Sequence, residues 1–149
     1  MHVSAVWLTN VTGKLHMRVT MQKAIATLQS KEFDTVVFCG VSGGLFGPTL
    51  AYTMDKEVTV VRKPDAHTHS VYKLEGYVGP GRYLIVDDVM DSGKTLAHIM
   101  KMMKRQSRAT LAGIYLYGEG RGCIDSPEGF IGPRSAIMDR IKVHLEGES

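Results

Sequence analysis

From Thr20 the apolar residues Met21, Ala24, Ile25 and Leu28 recur at i, i+3, i+4 and i+7, which predicts an amphipathic helix capped by Thr20 and ending near Ser30. Upstream, two short alternating segments, Val3 to Leu8 and Leu15 to Val19, flank Asn10 to Lys14, and with Gly13 as the turn they predict a hairpin. Thr35 to Cys39 is a β-branched apolar run too short for a helix, closed by Gly40, Val41, Ser42, Gly43 and Gly44; it predicts a buried strand running into a loop. A helix over Leu45 to Met54 follows, with Pro48 comfortable only in a first turn. Val58 to Val61 predicts another strand, Arg62 to Lys73 a long loop, and Gly76 to Arg82 a turn region.

The clearest pattern comes next. Tyr83 to Val86 predicts a strand, Asp87 to Ser92 a polar loop, and Gly93 to Gln106 a helix with Leu96, Ile99, Met100 and Met103 on one face. Thr110 to Tyr117 predicts a strand, Gly118 to Gly132 is glycine-rich without period, and Arg134 to Val143 predicts a short last helix. Strands that alternate with helices and lack polar alternation predict a parallel sheet covered on both faces. No internal repeat is visible.

Composition narrows the class. The chain has 149 residues, 44% of them hydrophobic and 22% charged, so 1–149 is expected to form one globular domain. The net charge of +3 is too small to make nucleic-acid binding the main business, though it admits a small anionic ligand. Cys39 and Cys123 lie far apart and form no zinc or disulfide framework, which predicts a reducing cytoplasm. The first residues lack a secretory pattern, and no run is long and apolar enough for a membrane span, so neither export nor anchoring is expected.

In an open α/β sheet the ligand lies beyond the carboxyl ends of the strands, so the loops after strands carry the chemistry. The segment YLIVDDVMDSGKT, Tyr83 to Thr95, delivers Asp87 and Asp88 at a strand end and opens a helix with Ser92, Gly93, Lys94 and Thr95. Unpaired amides at a helix start carry partial positive charge and, with the hydroxyls of Ser92 and Thr95, make a phosphate cradle. Neighbouring residues of a straight strand point to opposite faces, so the two carboxylates converge on one ligand only where the strand breaks. A carboxylate pair beside a phosphate site suits a cis-diol or a magnesium shell, and hence a sugar phosphate. A Walker A motif is excluded, because Asp88 stands where its first glycine belongs.

This segment closely resembles the PRPP-binding motif of the type I phosphoribosyltransferases. The resemblance spans about Val36 to Tyr117 and implies a small α/β type I phosphoribosyltransferase fold, a twisted, mainly parallel sheet flanked by helices, with a small hood. It implies that Asp87 and Asp88 bind the ribose hydroxyls, with Mg2+ as cofactor, and that Asp91, Ser92, Gly93, Lys94 and Thr95 surround the 5'-phosphate. The second loop, GVSGGLFG from Gly40 to Gly47, is similar to the family's pyrophosphate loop, in which a strained peptide near Val41, Ser42 and Gly43 presents amides to the leaving group. A glycine-rich helix entrance is the plainer reading of those residues.

The third loop, Arg62 to Glu75, matches the position of the family's flexible cover, whose cations stabilise departing pyrophosphate; Arg62, Lys63, His67, His69 and Lys73 are the candidates here. Arg62, Lys63, Leu74, Glu75 and Gly76 are similar in placement to orotate phosphoribosyltransferases, but Ala66 and Thr68 stand where those usually carry lysine and histidine. Arg62, Lys63, Pro64, Tyr72, Leu74 and Glu75 are also similar to adenine phosphoribosyltransferases. Asp91 matches the 6-oxopurine members, in which this aspartate accepts a proton from the base; its plainer job is to favour the helix start.

The expectation is therefore transfer of ribose 5-phosphate from PRPP to a nucleobase with release of pyrophosphate. Orotate is the first choice of acceptor, a purine the runner-up, and a non-catalytic PRPP- or nucleotide-binding regulator of the same fold the alternative from another class. The resemblance also implies a homodimer. The hood is expected from the N-terminal hairpin and the C-terminal segment. The basic cluster Lys101, Lys104, Arg105 and Arg108 reads as a solvated helix face.

Overall fold

The computed structural model describes residues 8–63, 74–90, 92–118 and 128–146. In chain order the elements are α1 (Thr9–Thr12), α2 (Lys14–Leu28), β1 (Thr35–Phe38), α3 (Val41–Met54), β2 (Glu57–Val61), β3 (Leu74–Gly76), β4 (Arg82–Asp87), α4 (Lys94–Gln106), β5 (Thr110–Leu116), β6 (Phe130–Ile131) and α5 (Ala136–Glu146). Six strands form one sheet in the order β3-β2-β1-β4-β5-β6. The four inner strands run parallel, and the short edge strands β3 and β6 run antiparallel to their neighbours.

Side-chain alternation along the inner strands builds two cores. Val36, Phe38, Leu84, Val86, Tyr115 and Tyr117 face one layer, where they meet Ala24 and Leu28 of α2 and Phe46 and Leu50 of α3. Val37, Ile85, Ile114 and Leu116 face the other, where they meet Leu96, Ile99 and Met103 of α4 and Met138 and Ile141 of α5. A fully buried Leu or Ile side chain is worth about 1.5–3 kcal/mol, so a doubly covered strand contributes from both faces at once. The predicted α/β sheet flanked by helices is the architecture observed.

Three expectations need correction. Leu15 to Val19 is not a strand of a hairpin, because α2 begins at Lys14; Val3 to Trp7 lie outside the described residues. Leu15 and Val19 are four apart and satisfy helical spacing as well as alternation, yet they stay exposed, at 66% and 41%. Thr20 is interior to the helix rather than its cap, and its hydroxyl donates to the His16 carbonyl. The predicted α2 face is otherwise right, with Met21, Ala24 and Leu28 buried.

The second correction concerns Gly40 to Gly47, which is not an open loop. Helix α3 starts at Val41, only Gly40 takes a left-handed backbone (φ 97°), and Pro48 sits inside the helix rather than in its first turn. Gly43 and Gly47 serve packing. A Cβ on Gly43 would stand 2.8 Å from Phe38 Cβ, and one on Gly47 2.6 Å from the Phe38 ring, so the two glycines let the helix lie against that side chain.

The third correction is at the C-terminal end, where α5 builds no hood. It packs beside α4 and buries Ile137, Met138 and Ile141 in the core. Strands β3 and β6, three and two residues long, were not predicted within the segments read as loops.

Candidate functional site

The carboxyl ends of β1, β2 and β4 and the start of α4 surround a cavity of about 360 Å³. Asp87 is the last residue of β4, and Asp88 follows where the strand ends. The local chain explains why both reach the same space. The Asp88 amide donates to the Asp87 carboxylate at 2.9 Å, and the Val89 amide to the Asp88 carboxylate at 2.8 Å, so each side chain folds back over the next peptide. The turn is held from the neighbouring strand: the Tyr117 amide donates to the Asp87 carbonyl at 3.0 Å and the Gly118 amide to the Asp88 carbonyl at 2.7 Å. Gly118 has no side chain for a reason, since a Cβ there would stand 2.5 Å from the Asp88 carbonyl oxygen.

Burial pushes the Asp87 carboxyl up to about 7, reinforced by the hydrogen bond and charge of Asp88. The Asp88 amide and Lys63 pull the other way. An acid so placed resists ionisation until a positive charge or a set of donors arrives. Lys63, just past β2, also lines the cavity, and its Cε lies 3.7 Å from the position a Cβ would take on Gly40.

Ser92, Gly93 and Thr95 line the same cavity at the entrance to α4. Gly93 takes a left-handed backbone (φ 90°) that turns the chain into the helix, and the Lys94 amide donates to the Ser92 hydroxyl at 3.3 Å. His144 of α5 supports this turn: its Nε2 donates to the Ser92 carbonyl at 2.8 Å, which fixes the proton on Nε2 because a carbonyl only accepts. Val41 and Ser42 line the cavity from the first turn of α3. The Ser42 hydroxyl lies 2.6 Å from that of Tyr117, whose ring stacks on Phe46 with centroids 4.0 Å apart.

The cavity thus gathers Val41, Ser42, Lys63, Asp87, Asp88, Ser92, Gly93 and Thr95 from four separate stretches of chain. Gly43 faces Phe38 and Lys94 lies outside the lining. Arg62 is engaged elsewhere: its guanidinium binds Glu75 at 2.7 Å and its carbonyl accepts from His98 Nε2 at 2.9 Å. Because Val61 pairs with Leu74, that ion pair closes the base of the segment between β2 and β3. His67, His69, Lys73 and Asp91 lie outside the described residues.

Sequence reasoning missed Cys39, Val89, Met90 and Leu96 of the lining, and the supporting Tyr117, His98 and His144. Cys39 directly follows β1, which is the position that should have marked it. Burial raises its thiol pKa, against the opposing charge of Lys63. Among the described residues no group of three or more His, Cys, Asp or Glu is arranged to hold a metal ion. A buried acid pair facing solvent-accessible space suits a cation shared with a ligand's oxygens better than an all-protein cage.

An orotate phosphoribosyltransferase from Pyrobaculum islandicum is 26% identical over 152 residues, spanning 95% of this chain and 78% of the relative. In sequence and in fold the chain is similar to phosphoribosyltransferases. An adenine phosphoribosyltransferase from Petrotoga mobilis is 24% identical over 114 residues, which is 66% of each protein, just under two thirds. Among solved structures, UMP synthase of Leishmania donovani superposes with a TM-score of 0.62 at 17% identity, covering 74% of this chain and 24% of that one. No family model matches the sequence. The relatives are pentosyltransferases, divided between pyrimidine and purine acceptors. Among the described residues no helix is long and apolar enough to cross a membrane.

Proposed function

We propose that the protein transfers the 5-phosphoribosyl group of PRPP to a nucleobase nitrogen with release of pyrophosphate, and that orotate is the acceptor. The observation that supports the reading is that the Asp87–Asp88 pair, Lys63 and the helix-start residues Ser92, Gly93 and Thr95 line one cavity. A phosphate held at the start of α4 puts the sugar over the two acids. The Ser42 region and Lys63 then flank the anomeric side, where amides and a cation stabilise the leaving polyanion. The two carboxylates accept from the ribose hydroxyls and offset positive charge that develops on the sugar ring.

Magnesium fits this donor set. Asp87 and Asp88 would hold it together with ligand oxygens, and it would supply charge neutralisation for the diphosphate. Orotate is favoured over adenine because the orotate-using relative aligns with 95% of the chain and the adenine-using one with 66%. A homodimer is part of the proposal, and sedimentation velocity tests it.

The deciding experiment incubates the protein with PRPP and magnesium and each of orotate, adenine, hypoxanthine, guanine and xanthine, following pyrophosphate. Turnover with orotate is expected. Turnover confined to a purine moves the assignment to the purine branch, and tight PRPP binding without turnover on any base indicates a regulator. Affinity for PRPP that survives replacement of both Asp87 and Asp88 by alanine would refute the site itself.

A further inference from the structure

A second cavity, of about 890 Å³, opens at the other end of the sheet, where β4 and β5 begin. It is framed by the C-terminal turn of α4, the first residues of β5 and the exposed side of α5. Lys101, Lys104, Arg105, Arg108 and Lys142 line it together with the apolar Met100 and Leu111, and its described lining contains no carboxylate. Lys104 and Arg105 in the last turn of α4 complement the negative end of that helix, a role that two cations fill. Lys101 lies one turn earlier, Arg108 beyond the helix end and Lys142 on another helix, so helix-end electrostatics accounts for only two of the five.

We propose that this cavity binds a nucleoside triphosphate, distinct from the substrates of the catalytic pocket. Five cations lining one cavity call for a ligand with several negative charges, and the apolar part of the lining calls for one that also carries a flat, weakly polar body. The volume lies in the range of small-ligand sites and exceeds that of the catalytic cavity. A nucleic-acid strand suits the site less well. Strand-binding surfaces stack bases on exposed rings, whereas the single ring here, Tyr83, is 5% exposed and belongs to the core.

The two cavities share their walls. Helix α4 begins at the Ser92–Thr95 turn and ends among the cations of the second cavity. Helix α5 sends His144 to the Ser92 carbonyl and, two residues earlier and so on a different side, Lys142 to the second cavity.

The test titrates the full-length protein with ATP calorimetrically, with and without saturating PRPP, and repeats it on an Arg108→Glu/Lys142→Glu variant. One ATP site that persists in the presence of PRPP is expected. In the double variant ATP affinity should fall at least about tenfold while PRPP affinity holds within about twofold. If the reversal disturbs folding, Arg108→Gln/Lys142→Gln takes its place, and photolabelling by 8-azido-ATP should mark α4 and α5 peptides. The proposal is overturned if ATP does not bind, if PRPP displaces it, if the variants bind it unchanged, or if the label falls elsewhere. It is likewise overturned if inorganic tripolyphosphate binds as tightly, or if single-stranded RNA binds more tightly with a steep salt dependence. Because PRPP binding is measured separately, loss of the catalytic reading and loss of this one are told apart.

Discussion

Ser42 and Tyr117 are 75 residues apart in the chain, yet their hydroxyl oxygens meet at 2.6 Å beside the cavity. The contact ties the first turn of α3 to the residue after β5. The tyrosine brings a ring stacked on Phe46, and burial raises its pKa above the ordinary phenol value, so it stays protonated throughout the working pH range. Ser42 is thereby held by a partner that is itself packed in place.

Removing that hydroxyl while keeping the ring isolates the effect. Tyr117→Phe should cost about 0.5–1.5 kcal/mol of stability and weaken PRPP binding by a similar free energy, while the far-ultraviolet circular dichroism stays unchanged. Calorimetric titration with PRPP and urea denaturation measure the two. Unchanged PRPP affinity would show that Ser42 needs no such support.

Asp87 predicts a pH dependence of folding. A carboxyl with a folded-state value of about 7, raised from 3.8, binds more protons folded than unfolded. Its ionisation therefore opposes folding from about pH 4 upward, and the cost is complete above about pH 7. Without ligand, Asp87→Asn should gain stability over the parent protein at pH 8 and much less at pH 4.5. Chemical denaturation at the two pH values reads the difference, and an equal effect at both would contradict the assigned burial.

His144 gives a prediction about the turn at the start of α4. Its N–H holds the Ser92 carbonyl from a helix that contributes no residue to the lining. His144→Ala should weaken PRPP binding about threefold or more, and His144→Gln, which keeps an N–H donor, should restore part of the loss. A merely structural role would lower the melting temperature of both variants without separating them in affinity.

The β4-to-α4 segment was legible from sequence because its signals agree: an apolar strand, two acids at its end, and a helix start with four apolar residues on one face. From that segment the cavity lining takes Asp87, Asp88, Ser92, Gly93 and Thr95, while Lys94 lies outside it. Elsewhere local pattern misled. Leu15 and Val19 suit a strand or a helix equally, and nothing nearby decides between them. The glycines after β1 looked like a ligand-facing loop, but Gly43 and Gly47 answer to Phe38, a tertiary partner that no local pattern announces. Edge strands of two and three residues carry too little periodicity to register. Tyr117, His98 and His144 act by reaching across the fold, so single positions in the chain gave no sign of them.

Phe38 therefore has an influence out of proportion to its contacts with any substrate, of which it has none in the cavity lining. Its ring works as a spacer gauge: helix α3 settles at the distance that two bare glycines permit, and Val41 and Ser42 inherit their position from that fit. A bulkier residue at either glycine would lift the whole first half of the helix, and the mouth of the Asp87–Asp88 cavity would widen without any lining residue having changed.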